Sequence, residues 1–214
     1  MDLYVLRLVN NPEFYLPLTL IIVFSICFHE LGHAWIALKQ GDPTARDNGH
    51  LSLNPMVQMG PFSLILMALC GIAYGSVPVN PRNFKSKWSD LYVSIAGPIC
   101  NIIVFLVLGF LSVLLPKLFA NSLNIAELEL LRDIFVVGAL MNMALFILNM
   151  IPVPPLDGWS VWPYVFPGLR KVSPETESML SWGVIFIFVF MAGPIFAVSG
   201  KITSLYINLF SFIQ

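Results

Sequence analysis

Long apolar runs dominate the chain, and short polar, turn-rich pieces separate them. A spanning helix needs about 20 apolar residues. Residues 16–38, 90–116, 132–151 and 178–199 each reach that length. His29, Glu30 and His33 interrupt the first run, Gly97-Pro98 falls early in the second, and Pro152 closes the third. Two other pieces fall short. Residues 60–77 are marginal and contain Pro61, Gly71 and Gly75, and residues 202–213 cannot cross a bilayer without tilt or local thinning. Residues 39–58, 78–89 and 152–177 mix charge with Asn54-Pro55, Asn80-Pro81 and Asp157-Gly158, so they read as loops. The pattern predicts an all-α polytopic membrane protein, a helix bundle of about four to six membrane segments, with 60–77 re-entrant.

Composition sharpens this expectation. The chain has 214 residues, 57% hydrophobic and only 11% charged, with a mean hydropathy of +0.82. Soluble domains carry about 25% charged residues, so this chain belongs in a lipid bilayer. A formal net charge of −1 gives no electrostatic footprint for nucleic acid. Cys27, Cys70 and Cys100 lie in apolar stretches without ligand spacing and read as packing residues. Residues 1–15 contain Asp2, Arg7 and Glu13 and no small-residue cleavage pattern, so no cleavable signal is expected. No repeat or soluble appendage stands out. Residues 1–214 are expected to form a single membrane-embedded domain, with a core over about 16–160 and C-terminal helices over 178–213.

The chemistry centres on His29-Glu30-Leu31-Gly32-His33. Histidines at i and i+4 lie one turn apart on one helix face, so both imidazoles can reach one zinc ion. Glu30 is placed to hold a water on that metal and take its proton. A catalytic zinc takes three protein ligands and leaves a position open, so a third must come from elsewhere. Five residues alone are a weak signal, and three hydrated groups near a helix end would look the same. Ionisable groups inside a span cost at least ~2.5–3.5 kcal/mol, however, and are usually functional. Asp157 is the best third candidate, framed by Pro154-Pro155-Leu156 and Gly158, although an ordinary Asp-Gly turn also fits. The other carboxylates sit in polar flanks or, like Asp42 and Asp47, in a mixed-charge loop.

Three pieces in order resemble the site-2 protease family of intramembrane metallopeptidases. They are Phe28-His29-Glu30-Leu31-Gly32-His33-Ala34, Ala96-Gly97-Pro98-Ile99-Cys100-Asn101, and Asn149-Met150-Ile151-Pro152 followed by Pro154-Pro155-Leu156-Asp157-Gly158. The resemblance covers roughly residues 16–160 and is to the short members without a PDZ or CBS domain. It implies one zinc ion held by His29, His33 and Asp157, Glu30 as catalytic base, and Asn101 as a polar group near the site. Asn101 could donate to a developing oxyanion or substrate backbone, or bond between helices. The resemblance further implies cleavage of membrane-protein substrates with a transmembrane helix, in a prokaryotic cell membrane. It leaves homo-oligomerisation open. Two departures stand out: Trp159 replaces a second glycine after Asp157-Gly158, and Asn54-Pro55 leads to Gln58 and Gly60 where many short members carry His and Asp.

If Asp157 meets His29 and His33, the helices ending near them run parallel, which requires an odd number of crossings in between. Run 90–116 supplies one, so 60–77 should enter and return. Irregular backbone at that depth is tolerated where protein or a watery cavity covers it. Charge agrees. The active-site side then carries Lys39, Arg46, Arg82, Lys85, Lys87, Arg170 and Lys171, and the other side Arg7, Lys117, Arg132 and Lys201, seven against four. A spanning 60–77 would give six against five. The positive-inside rule favours the first and makes the active-site side cytoplasmic. Two rival readings use the same residues. A membrane zinc transporter would need ligands at several depths, yet His50 lies in a loop and residues 91–116 and 178–199 carry no acidic, basic or histidine side chain. An inactive membrane scaffold has no need of an intact Glu30.

Overall fold

The computed structural model describes residues 3–168, 173–183 and 190–210, and every regular element among them is helical. A short helix, α1 (Tyr4–Asn10), leads into α2 (Pro12–Lys39). Pro12 takes the first helical position, where its missing N–H is no loss, and the Asn11 side chain accepts from the Phe14 amide. Two single turns follow, α3 (Thr44–Asp47) and α4 (Pro55–Gln58), and then the eleven-residue α5 (Gly60–Cys70). The long helices α6 (Ser89–Leu118) and α7 (Ile125–Asn149) come next. The last elements are α8 (Gly158–Val161), α9 (Pro174–Ser181) and α10 (Ala192–Asn208). Among the described residues, α2, α6 and α7 are long and apolar enough to cross a membrane.

Helix α6 lies between α2 and α7. Val104, Phe105 and Leu108 of α6 pack on Ala139 and Met143 of α7, with Ile21 and Phe28 of α2 against the same cluster. Close approach depends on Gly32, where a β-carbon would come within 2.7 Å of Cys100 Sγ. A single crossing separates α2 from α7, so the two run parallel and their C-terminal ends share one side, where Asp157 meets His29 and His33.

The expected re-entrant segment takes a definite form. Helix α5 is about 16 Å long, roughly half a hydrocarbon core. It ends at Gly71, whose φ of 72° is left-handed and suits glycine. The chain then returns extended. Ser63 Oγ donates to the Tyr74 carbonyl at 2.6 Å and accepts from its amide at 2.9 Å. The Ser76 amide donates to the carbonyl of Gln58, two residues before α5 begins. Tyr4 covers Gly71 at the far end and bonds Thr19 of α2, while Asp42 holds Asn80 at the near end. From Thr19 to Lys39 helix α2 rises about 30 Å, and an extended chain from Gly71 to Asn80 covers about the same distance. The return strand therefore runs the depth of α2.

Two expectations change. Helix α7 starts at Ile125, well before 132, because an Asn124/Glu127 capping box opens a polar first stretch that hydropathy hides. The expected break between 178–199 and 202–213 is absent: α10 runs continuously through Gly200 and Lys201. Lys201 thus stands inside a helix, exposed, and is no loop charge. Residues 184–189 and 211–214 of those two runs, like Arg170 and Lys171, lie outside the described residues.

One buried carboxylate ties the loops above the site. Asp42 is fully buried and accepts from the Thr44 hydroxyl and amide, the Asn80 amide and the Asn83 side chain. Burial pushes its carboxyl up, and these donors more than reverse that, holding it below the usual carboxylate range. A depressed folded-state value contributes stability above the unfolded value of about 3.9, and that contribution is lost as pH falls further. Asp42→Asn turns an acceptor into a donor facing other donors. We expect it to cost about 1–3 kcal/mol at neutral pH, read as a lower midpoint in detergent. The gap to wild type should narrow toward pH 3; a constant gap from pH 7 to pH 3 would count against this account.

Candidate metal centre

His29 and His33 sit one turn apart in the second half of α2, both buried. Asp157 follows α7 in a loop built to fixed dimensions. Gly158 passes so close to the end of α7 that a β-carbon would lie 2.5 Å from the Met150 and Ile151 carbonyls. Trp162 Nε1 donates to the Met150 carbonyl at 2.6 Å, pinning the turn from below. Trp159, the departure noted in the sequence, donates from its indole to Glu177 of α9 at 3.0 Å. The result brings Asp157 Oδ2 to 3.1 Å from His29 Nε2 and Oδ1 to 3.3 Å from His33 Nε2. The two Nε2 atoms are 3.0 Å apart.

The far sides of both rings are already engaged. His33 Nδ1 is 2.7 Å from the Val93 carbonyl of α6, which can only accept, so this nitrogen carries the hydrogen. His29 Nδ1 is 2.7 Å from Asn101 Oδ1. In the neutral rings both Nε2 atoms then present lone pairs to each other and to a carboxylate. Asp157 Oδ2 is buried with no hydrogen-bond partner. Such a cluster of acceptors is unfavourable unless a cation sits among them. The three ligand atoms lie within 4.8 Å of one another. A tetrahedral zinc with bonds of about 2.0–2.1 Å has ligand atoms roughly 3.3 Å apart, close to the separations seen here. The residues fit a zinc ion.

Glu30 is buried beside the first ligand, lining the same cavity of about 740 Å³ as His29, His33, Asn101 and Asp157. Gly75 of the return strand lies over its carboxylate, so close that an added β-carbon would be 2.6 Å from Oε1. Gly97 of α6 faces the imidazoles in the same way, with its hypothetical β-carbon 2.5 Å from His29 Nε2 and nearer still to His33 Nε2. The structure therefore brings His29, Glu30, His33, Asn101 and Asp157 to one place. Asn101 is fully buried; its carbonyl oxygen faces His29, and its amide nitrogen lies 3.3 Å from Asn142 Oδ1. Sequence reasoning passed over Asn142 and the Val93 carbonyl, and noted Gly75 only within the 60–77 piece, not as a cover for Glu30. A lone asparagine within an apolar run was the available signal for the first; the other two had none, since a backbone carbonyl and a steric gap leave no trace in composition.

Comparison with known proteins identifies the family. The sequence model of Peptidase family M50 matches residues 17–193. The Bacillus subtilis protein named "Putative zinc metalloprotease YwhC" is 36% identical over 184 residues, covering 85% of this chain and 81% of its own. The Mycolicibacterium smegmatis protein named "Putative zinc metalloprotease Rip2" is 31% identical, covering 80% of this chain and 65% of its own. A zinc metalloprotease of Methanocaldococcus jannaschii is 27% identical over 72% of this chain and 35% of its own. No solved structure gives a significant match. A match over most of the chain, with relatives above 30% identity, places this apolar helical protein in peptidase family M50, the site-2 protease family of zinc metalloproteases.

Proposed function

We propose that the chain hydrolyses peptide bonds of membrane-protein substrates, within or at the edge of the bilayer, using one zinc ion held by His29, His33 and Asp157. The observation that carries this reading is the convergence of two lone-pair nitrogens and an unpartnered buried carboxylate oxygen on one point of the Glu30 cavity. When bound there, zinc supplies the electrophile that polarises a scissile carbonyl and makes water acidic. Glu30 removes the proton of the attacking water and passes it to the leaving nitrogen. Asn101, with its oxygen turned to His29, serves the ligand more than the substrate.

A substrate helix has its peptide groups bonded internally and must unwind before attack. The return strand 71–80 suits an unwound segment. Ile72, Tyr74, Ser76 and Pro78 are exposed while Ala73, Gly75, Val77 and Val79 are half-buried, an alternation of period two. The strand has no β partner among the described residues and passes over Glu30, so an extended substrate can add along it. Lys201 lies level with Leu140 of α7 and counts for neither side, so among the described residues the flanking charges become five (Lys39, Arg46, Arg82, Lys85, Lys87) against three (Arg7, Lys117, Arg132). That bias supports a site opening toward the cytoplasm, which one-sided labelling of a cysteine placed at Lys87 reads directly.

The test uses the full chain in detergent, stripped with a chelator and reloaded. We expect one zinc per chain, cleavage of single-span peptides that stops on stripping and returns with zinc, and little cleavage of soluble unfolded protein. Cleavage that persists without metal would sink the reading. Cleavage of soluble protein at an equal rate would overturn the substrate class.

A further inference from the structure

Asn142 lies in the middle of α7, fully buried, and touches none of the three ligand residues in any hydrogen bond. Its amide nitrogen donates to Ser25 Oγ of α2 and to the Gly138 carbonyl of its own helix, both at 2.9 Å. Ser25 is also fully buried and passes its own hydrogen to the Ile21 carbonyl at 2.7 Å. The direction of every bond in this chain follows from one group. The Gly138 carbonyl can only accept, so the amide nitrogen of Asn142 must face it. That turns Asn142 Oδ1 toward Asn101, and only the amide nitrogen of Asn101 can donate to it. Asn101 Oδ1 then faces His29 and accepts from Nδ1. The hydrogen of His29 is thereby fixed on the ring nitrogen away from His33 and Asp157.

We infer that Asn142 is a positioning residue for the metal site: through Asn101 it sets which nitrogen of His29 carries the hydrogen, and so keeps Nε2 free for the metal. The inference rests on the zinc-ligand reading above. Without Asn142, the side-chain amide of Asn101 is free to turn over, since its two ends differ little in shape. A turned Asn101 presents a donor to His29 Nδ1, moves the ring hydrogen to Nε2 and points it at the other two ligands. His33 needs no such device, because the Val93 carbonyl has one polarity only. Outer partners of this kind affect metal affinity by about 10–100-fold.

The test measures zinc affinity of the metal-stripped full chain by chelator competition, together with the melting temperature of the metal-free protein. Asn142→Leu, with Asn142→Ala in reserve should leucine not fold, is made in wild type and in Asn101→Asp. A carboxylate at 101 offers His29 an acceptor whichever way it turns, and it also repels the Asn142 oxygen. We expect Asn142→Leu to weaken zinc about 10–100-fold in wild type, and to leave affinity unchanged or raise it in the Asn101→Asp background. An equal loss in both backgrounds, or a loss that tracks the melting temperature, would mean that Asn142 only packs the helices and would overturn the inference. No loss in either background would overturn it too. Failure of wild type itself to bind zinc would instead remove the ligand reading beneath it.

Discussion

Glu30→Gln is expected to keep zinc bound at full stoichiometry while peptide hydrolysis falls by about 10²–10⁴-fold. The substitution is close to isosteric and removes only the ability to take up and release a proton. Glu30 contributes no atom to the His29, His33 and Asp157 cluster, so the metal should stay. Its carboxylate lies in the shared cavity, covered by Gly75, where Asp157 and Asp90 are the other carboxylates among the described lining residues. Asp90, which lines the same cavity, stands one turn before Val93 at the start of α6. If Glu30→Gln cleaved at the wild-type rate with zinc bound, the base would have to be sought there. If zinc were lost as well, Glu30 would be acting on the metal site and the division of roles would be wrong. Asp157→Ala gives the contrasting pattern, with zinc and cleavage lost together.

Much of this arrangement was legible because membrane chemistry is restrictive. In lipid every backbone group must be satisfied internally, so α2, α6 and α7 announce themselves as apolar runs, and His29 and His33 stand out as exceptions within one. An odd number of crossings between α2 and α7 then requires 60–77 to return to the side from which it entered. Legibility failed where the determinants were local or steric. The first nine residues of α7 carry Glu127, Glu129, Arg132 and Asp133, and a capping box rather than hydropathy starts the helix. Continuity of α10 through Gly200-Lys201 ran against the pattern for another reason. Ser199 and Thr203 bond carbonyls one turn back, and Gly200 faces Leu140 of α7, so packing outweighs a glycine's intrinsic cost. The orienting partners of the ligands were hidden more deeply. Asn101 was visible as a polar residue near the site, but its direction depends on Asn142, forty-one residues away in sequence, and on a carbonyl of α7.

Gly97→Ala should abolish zinc binding at ordinary concentrations while the apo protein still folds. The β-carbon would stand 2.5 Å from His29 Nε2 and closer to His33 Nε2, within the space that a metal and its ligands need. Far ends of side chains can usually swing aside, but these cannot. His33 is tethered at Nδ1 to the Val93 carbonyl and His29 to Asn101, so moving either ring breaks a buried hydrogen bond, at a cost of about 1–3 kcal/mol each. Alanine at 97 is otherwise easy for a helix, and glycine to alanine in a helix interior gains about 1 kcal/mol in propensity. That gain offsets part of the cost of displacing a ring, so the apo protein should lose only about 1–3 kcal/mol while metal binding is lost outright, which a general packing defect would not produce. Gly75→Ala supplies the comparison. Its β-carbon meets Glu30 at a similar distance, nearest to Cγ, but the return strand that carries it is held at only a few points and can shift. Zinc should stay bound there, with cleavage reduced by roughly tenfold or less as Glu30 shifts. Measuring zinc per chain and the apo melting temperature for both variants decides the matter. Full zinc in Gly97→Ala would mean that the imidazoles can move away from α6, and that the tethers at Val93 and Asn101 do not set the geometry of the site.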